Sequence, residues 1–208
     1  MPTETRPRRG PYGKTRGRVE TLGRVAYELV VEAGHRSLTM AEVARRSALT
    51  EAQVLHLFPS RDHLLVAALE HADARLRPEP GSPGLAQVPD PEATLATAIR
   101  AQHSDPHVVR LFASMCAEGL DPDHPAHAWL VERTRRAVAS YAQILRELQA
   151  TGWAHPDVEP QRFGRQLVAL WDGAQAQWLL DPSTDLGAEV AAGLRVLARA
   201  DHSGGPGL

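Results

Sequence analysis

Apolar positions recur at intervals of three and four residues along most of this chain, the spacing of one buried helix face. Leu22, Val25, Ala26, Leu29, Val30 and Ala33 keep such a face and predict a first helix over residues 16–33. Gly34 is placed to end it as a left-handed C′ residue. Met40, Val43 and Ala44 predict a short second helix, and Thr39 followed three places later by Glu42 has the form of a capping box at its start. Ser47-Ala48-Leu49 is long enough only for a turn. Thr50 can cap a third helix, Glu51 suits the positive end of its dipole, and Val54, Leu57 and Phe58 form its apolar stripe. Pro59 stops it, because the residue before a proline is pushed out of the helical region. Ser60 caps a fourth helix, with Asp62 in its first turn, which runs to about Arg77 through Leu64, Leu65, Ala68, Leu69 and Ala72.

Residues 78–91 hold Pro78, Pro80, Pro83, Pro89 and Pro91 with Gly81 and Gly84, the clearest break in the chain. Beyond it the helical spacing resumes over about 92–102 and 106–118, the latter with Val109, Phe112, Ala113 and Cys116 on one face. A long helix over 126–151 carries Leu130, Thr134, Val138, Tyr141, Leu145 and Leu148, and further helices cover 160–180 and 185–200. No segment alternates with the period of a strand. The expected fold class is all-α with about nine helices: an N-terminal three-helix domain and a larger helical body. The expected boundaries are a flexible basic arm at 1–15, the helix-turn-helix domain at 16–60, the body at 61–202 and a flexible tail at 203–208.

Charge sharpens that division. The net charge of −2 is unremarkable, but residues 1–61 hold 11 Lys/Arg against 6 Asp/Glu, a balance of +5, and residues 62–208 hold 12 against 19, a balance of −7. A basic first third on an acidic remainder suits a polyanion-binding module carried by a body with another task. A hydrophobic content of 43% is enough for a packed core. The single cysteine, Cys116, forms no intrachain disulfide and is expected to pack as a small apolar residue. No apolar run is long enough to span a membrane and the basic N-terminus lacks the core of a secretory signal, so a cytoplasmic protein with no membrane partner is expected.

Two short helices across a tight turn make a helix-turn-helix, whose second helix can enter a DNA major groove. On that helix Gln53 has the chemistry for a bidentate pair with an adenine edge, and Thr50 and His56 can also reach bases. Arg45 and Arg46, late in the preceding helix, are candidate phosphate contacts. The prolines, glycines and basic residues of 1–15 fit an arm that touches phosphates or a minor groove.

The chain resembles the TetR family of bacterial transcriptional regulators. The resemblance rests on Ala41-Glu42-Val43-Ala44 and on Leu57-Phe58-Pro59-Ser60-Arg61-Asp62-His63-Leu64-Leu65. Near the C-terminus, Leu170-Trp171-Asp172-Gly173-Ala174-Gln175 and Gln177-Trp178-Leu179-Leu180-Asp181-Pro182 are similar to that family's dimerisation helix and the turn after it. The sequence departs from the family where Leu55 replaces a frequent phosphate-contacting Tyr and Leu57 replaces a frequent aromatic or His. The resemblance implies a homodimeric, ligand-responsive regulator, a repressor released from a pseudo-palindromic double-stranded DNA operator by an unknown small-molecule effector. It implies DNA contacts from Lys14, Arg16, Thr39, Arg45, Arg46, Thr50, Glu51, Ala52, Gln53, His56 and Arg61. Met115, Trp129, Arg133, Tyr141 and Trp171 are candidates to line a ligand cavity. Phe163, Leu167, Leu170, Ala174, Trp178, Leu194 and Leu197 are candidates for a four-helix dimer interface, though the same pattern fits an intrachain core.

His124 with His127, and His103 with His107, have spacings that invite a metal reading, but no cysteine or carboxylate cluster completes either set. No metal site and no cofactor are expected. No nucleophile–base spacing or phosphate-cradling Gly loop suggests an enzyme. The alternative left open is a helical small-molecule-binding protein whose helix-turn-helix is vestigial and reads no DNA.

Overall fold

The computed structural model describes residues 11–76, 82–102 and 105–200, and every regular element among them is helical. They form two compact units, Met1–Leu76 and Arg77–Leu208. The first holds α1 (Pro11–Ala33), α2 (Met40–Arg46), α3 (Glu51–Leu57) and α4 (Arg61–Arg75), with a 3-10 turn at His35–Ser37. The second holds α5 (Pro91–Gln102), α6 (Pro106–Glu118), α7 (Ala126–Ala150), α8 (Pro160–Leu180) and α9 (Leu186–Ala198), with a 3-10 turn at Leu85–Gln87.

Helix α1 begins at Pro11, five residues before the expected start at 16, and proline is well suited to a first turn where its missing N–H has no partner to lose. Residues 11–15 are therefore helical rather than part of a flexible arm, while residues 1–10 and the tail at 203–208 lie outside the described residues. Helix α4 stays with the first unit, one helix beyond the boundary expected after residue 60. The cause is packing: Leu22, Val25, Ala26, Leu29 and Val30 of α1 are buried together with Leu64, Leu65, Ala68 and Leu69 of α4. The two helices approach so closely that a Cβ on Gly23 would stand 3.0 Å from the Ala67 carbonyl oxygen. Gly34 does follow α1 with positive φ, at 78°, but its ψ of 158° lies outside the left-handed helical basin, in territory that essentially only glycine enters.

The second unit closes around Leu95 and Ile99 of α5, Leu145 and Leu148 of α7, Phe163 and Leu167 of α8, and Leu186, Val190, Leu194 and Ala198 of α9. Helices α6, α8 and α9 start on acidic caps. Asp105 precedes Pro106, Glu159 precedes Pro160, and Asp185 accepts from the Ala188 backbone N–H at 3.1 Å. Asp185 also takes Arg100 of α5 through Nη2 at 2.6 Å and Nε at 3.0 Å, which fixes the start of α9 against α5. The face of α6 is rotated from the expected one: Leu111 and Met115 are buried with Val109, whereas Phe112, Ala113 and Cys116 are half-buried.

Candidate functional site

In the first unit two threonines set the helix starts. The Thr39 hydroxyl accepts from the Glu42 backbone N–H at 3.2 Å, and the Thr50 hydroxyl accepts from that of Gln53 at 3.3 Å. The expected capping box at Thr39–Glu42 forms only this half. The Glu42 carboxylate turns away, accepting from Arg45 Nε and Nη2 at 2.8 and 2.6 Å and from Arg46 Nε at 2.9 Å. Charge-assisted bonds of this kind outcompete a neutral backbone donor. These bonds, first Arg45 and then Arg46, hold the Glu42 carboxyl at about 2. The complete box stands instead at α3, where Gln53 Oε1 accepts from the Thr50 backbone N–H at 3.0 Å.

That box ties down a residue expected to read bases. With Oε1 already accepting from the Thr50 N–H, a bidentate adenine pair requires Gln53 to share that oxygen or to turn its carboxamide. The segment nevertheless faces outward. Val54 and Phe58 are buried, at 0% and 8% exposure, so Glu51, Ala52, Gln53, Leu55 and His56 are presented on the open face of α3. Ala48, in the turn between α2 and α3, takes a positive φ of 52°.

The basic residues divide by partner. Arg46 is held by both carboxylate oxygens of Glu32 at 2.7 Å as well as by Glu42. Arg45 rests on Glu42, and Arg16 on Glu20 at 3.0 Å, all at the surface. Arg61 departs from the expected phosphate contact: its Nε donates to the Leu38 carbonyl at 3.0 Å and its Nη2 to the His35 carbonyl, so it clamps the α1–α2 connection onto α4. The side chain of Lys14 lies outside the described residues. Two cations missed by motif reading, Arg18 and Arg36, are exposed and carry no ion pair among the described residues. The only trace of them in the sequence is the +5 balance of residues 1–61.

In the second unit a cleft of about 550 Å³ opens among α6, α7 and α8. Leu120, Leu130 and Val131 supply its apolar wall, and Cys116, Gly119, His127, Thr134, Arg135 and Asp172 complete the lining. None of the five expected ligand residues is among them. Met115 is buried one helical position away, Arg133 lies over the rings of Phe112 and Trp129 at 4.3 and 5.9 Å, and Tyr141 packs near Trp171 at 6.1 Å between ring centroids. These aromatic side chains pack on one another and on a cation beside that cleft. Burial pushes the Tyr141 hydroxyl up to about 12 and, reinforced by Asp172, the Cys116 thiol up to about 12. Burial also raises the Asp172 carboxyl, against the pull of Arg133. His124 and His127 both bond to nearby backbone. His127 Nδ1–H donates to the Gly119 carbonyl at 2.8 Å, and His124 Nδ1 accepts from the Ala126 N–H at 3.1 Å. His103 lies outside the described residues, and His107 is half-buried in the first turn of α6.

The expected dimer residues split in two. Phe163, Leu167 and Leu194 are fully buried in the core of their own chain and offer no surface to a second copy. Leu170, Ala174, Trp178 and Leu197 pack against that core and remain half-buried. The small and apolar residues left open on α8 include a different row, Ala169, Gly173, Ala176 and Leu180, and on α9 they include Ala192 and Val196. Leu180 and Val196 are 87% and 68% exposed.

Residues 24–68 match the family described as bacterial regulatory proteins, tetR family. No curated protein matches the sequence. Among solved structures, a TetR-family transcriptional regulator from Rhodococcus sp. superposes with a TM-score of 0.66 at 19% identity, over 88% of this chain and 99% of that one. The reduced form of Escherichia coli NemR superposes at 0.65 with 19% identity, over 86% and 96% of the two chains. Thermus thermophilus FadR, a TetR-family transcriptional repressor in complex with lauroyl-CoA, superposes at 0.60 with 25% identity, over 86% and 92%. Residues 24–68 thus carry the tetR-family domain, and the fold of the described residues is that of solved TetR-family regulators.

Proposed function

We propose that this protein is a homodimeric, cytoplasmic repressor that leaves a pseudo-palindromic operator when a small molecule occupies its second unit. One observation carries the reading. The side chains of α3 on either side of Val54 point outward, on a helix anchored by Val54 and Phe58 and capped at Thr50. A rigid, outward recognition helix is what major-groove entry requires. Arg45, Arg46, Arg16 and the unpaired Arg18 and Arg36 supply phosphate contacts; the first three exchange carboxylate partners for phosphate oxygens at modest cost, since exposed ion pairs contribute little. The open rows of α8 and α9 are the surface a second copy would cover, in an isologous pairing that places two α3 helices on one duplex. An effector in the α6–α8 cleft acts by preferring the dimer whose α3 spacing does not fit the operator.

The test is selection from a randomised duplex library, followed by anisotropy titration of the selected site across salt. A single enriched palindrome is expected, with log affinity falling against log salt at about −0.9 per phosphate contacted. Failure to enrich any sequence, with the dimer intact, would leave the second reading, a ligand-binding protein with a silent helix-turn-helix. The engaged carboxamide of Gln53 and the leucine at position 55 are what favour that reading.

A further inference from the structure

We propose that the effector is an amphipathic organic cation, with an apolar body seated on Leu120, Leu130 and Val131 and its positive group held by the Asp172 carboxylate. The inference rests on the second unit being the effector-binding unit and names the chemistry that unit selects. Two of the wall residues are conspicuous for exposure: Leu120 and Val131 are 80% and 56% exposed, on a cleft of about 550 Å³ that is ample for a drug-sized molecule. An apolar ligand that covers them removes that surface from water.

Charge decides the rest. The cleft is lined by one guanidinium and one carboxylate, and they are not equivalent. Arg135 is already neutralised by Glu132, which accepts from its Nε at 2.9 Å and its Nη2 at 2.8 Å. Asp172 has no ion pair or hydrogen bond among the described residues. The nearby Arg133 is engaged elsewhere, over Phe112 and Trp129, and acts on Asp172 only at a distance. The Asp172 side chain is exposed where it lines the cleft, and its surroundings raise its carboxyl pKa against the pull of Arg133, so the cleft presents an accessible carboxylate that an added cation would stabilise. A cation brought there supplies the missing partner, whereas an anion would meet Asp172 and compete with Glu132 for Arg135.

Three probes with the same alkyl body separate the possibilities: decylammonium, 1-decanol and decanoate, each titrated calorimetrically below its micellar concentration into the full-length protein without DNA. Decylammonium is expected to bind about tenfold more tightly than decanol, and decanoate more weakly than decanol. Asp172→Asn should reduce decylammonium to the affinity of decanol and leave decanol unchanged. The wild-type ranking stands as a test even if that variant folds poorly. Equal binding of all three probes, a preference for decanoate, no binding of any probe, or an unaltered ranking in Asp172→Asn overturns the proposal. Operator selection on the wild-type protein, run without probes, reports independently on the regulator reading.

Discussion

Arg61 shows how one residue changes meaning between sequence and structure. It stands where the family pattern suggests a phosphate contact, yet its guanidinium is spent on the carbonyls of His35 and Leu38. Arg61→Ala should therefore lower stability by about 2 kcal/mol, seen as a lower melting temperature, because two charged hydrogen bonds to backbone are lost. If the variant melted normally and bound all DNA more weakly, Arg61 would be a phosphate ligand after all. Leu55 moves in the opposite direction. At 45% exposure beside Ala52 it makes an apolar spot on the open face of α3, suited to a thymine methyl. Replacing the thymine beneath it by uracil should weaken the operator about fourfold, the value of one buried methyl, and should cost Leu55→Ala nothing further. An operator indifferent to every such replacement would place Leu55 away from the bases. Cys116 gives the pH prediction. Its thiol is pushed up to about 12 from an ordinary 9.0, first by burial and then by Asp172. Only the thiolate is nucleophilic, so alkylation by iodoacetamide should stay slow in the native protein at pH 9.0 and become fast in denaturant. The sign for stability follows: a raised folded pKa favours the fold below 9.0 and loses that contribution as pH climbs toward 12.

At the scale of elements, the closest helix pairs cross at glycines. A Cβ on Gly23 would stand 3.0 Å from the Ala67 oxygen where α1 meets α4. One on Gly164 would stand 2.5 Å from the Val138 oxygen where α8 meets α7, and one on Gly187 would stand 2.5 Å from the Ala96 oxygen where α9 meets α5. Backbone cannot yield as a side-chain tip can. Gly164→Ala should therefore cost about 1–3 kcal/mol, although alanine is the better helix former, and a rise in melting temperature would show that the crossing has slack. These crossings were not legible in the sequence, where a glycine inside a helix reads only as a weak position. The helices themselves were legible. The bounds of α6, α7 and α8 and the caps at Thr39, Thr50 and Ser60 reproduce to within a residue or two, because local spacing and local hydrogen bonds decide them. The candidate site was half legible. The outward face of α3 follows from the burial of Val54 and Phe58, but the partners that occupy Gln53, Arg46 and Arg61 depend on which side chain wins a hydrogen bond. Spacing does not rank those competitors. For the same reason, spacing does not tell a ring that faces a ligand from one that packs on a neighbour, as Tyr141 and Trp171 do at 6.1 Å between centroids.

For the whole molecule, the proposed homodimer turns on which apolar surface a second copy would cover. A periodic row of leucines marks a buried face without saying what buries it, and Phe163, Leu167 and Leu194 turn out to be buried by their own chain. What remains open is a row on α8 at four-, three- and four-residue spacing, Ala169, Gly173, Ala176 and Leu180, with Ala192 and Val196 one turn apart on α9. Small residues let helices of two copies approach closely, and Leu180 and Val196, at 87% and 68% exposure, gain most from being covered. Charges at those two points, in a Leu180→Glu, Val196→Asp double variant, should leave the core untouched and break the assembly. Light scattering should then report the 22.6 kDa chain rather than twice that mass, with an unchanged helical spectrum. The consequence for DNA is larger than for stability. A dimer binds its second half-site as an intramolecular event, so the monomeric variant should lose at least about 100-fold in affinity for a full palindrome while its affinity for an isolated half-site stays unchanged. A double variant that remained dimeric would place the interface on other surfaces. One that became monomeric yet bound the full palindrome as tightly as the parent would show that pairing of the chains contributes nothing to operator recognition.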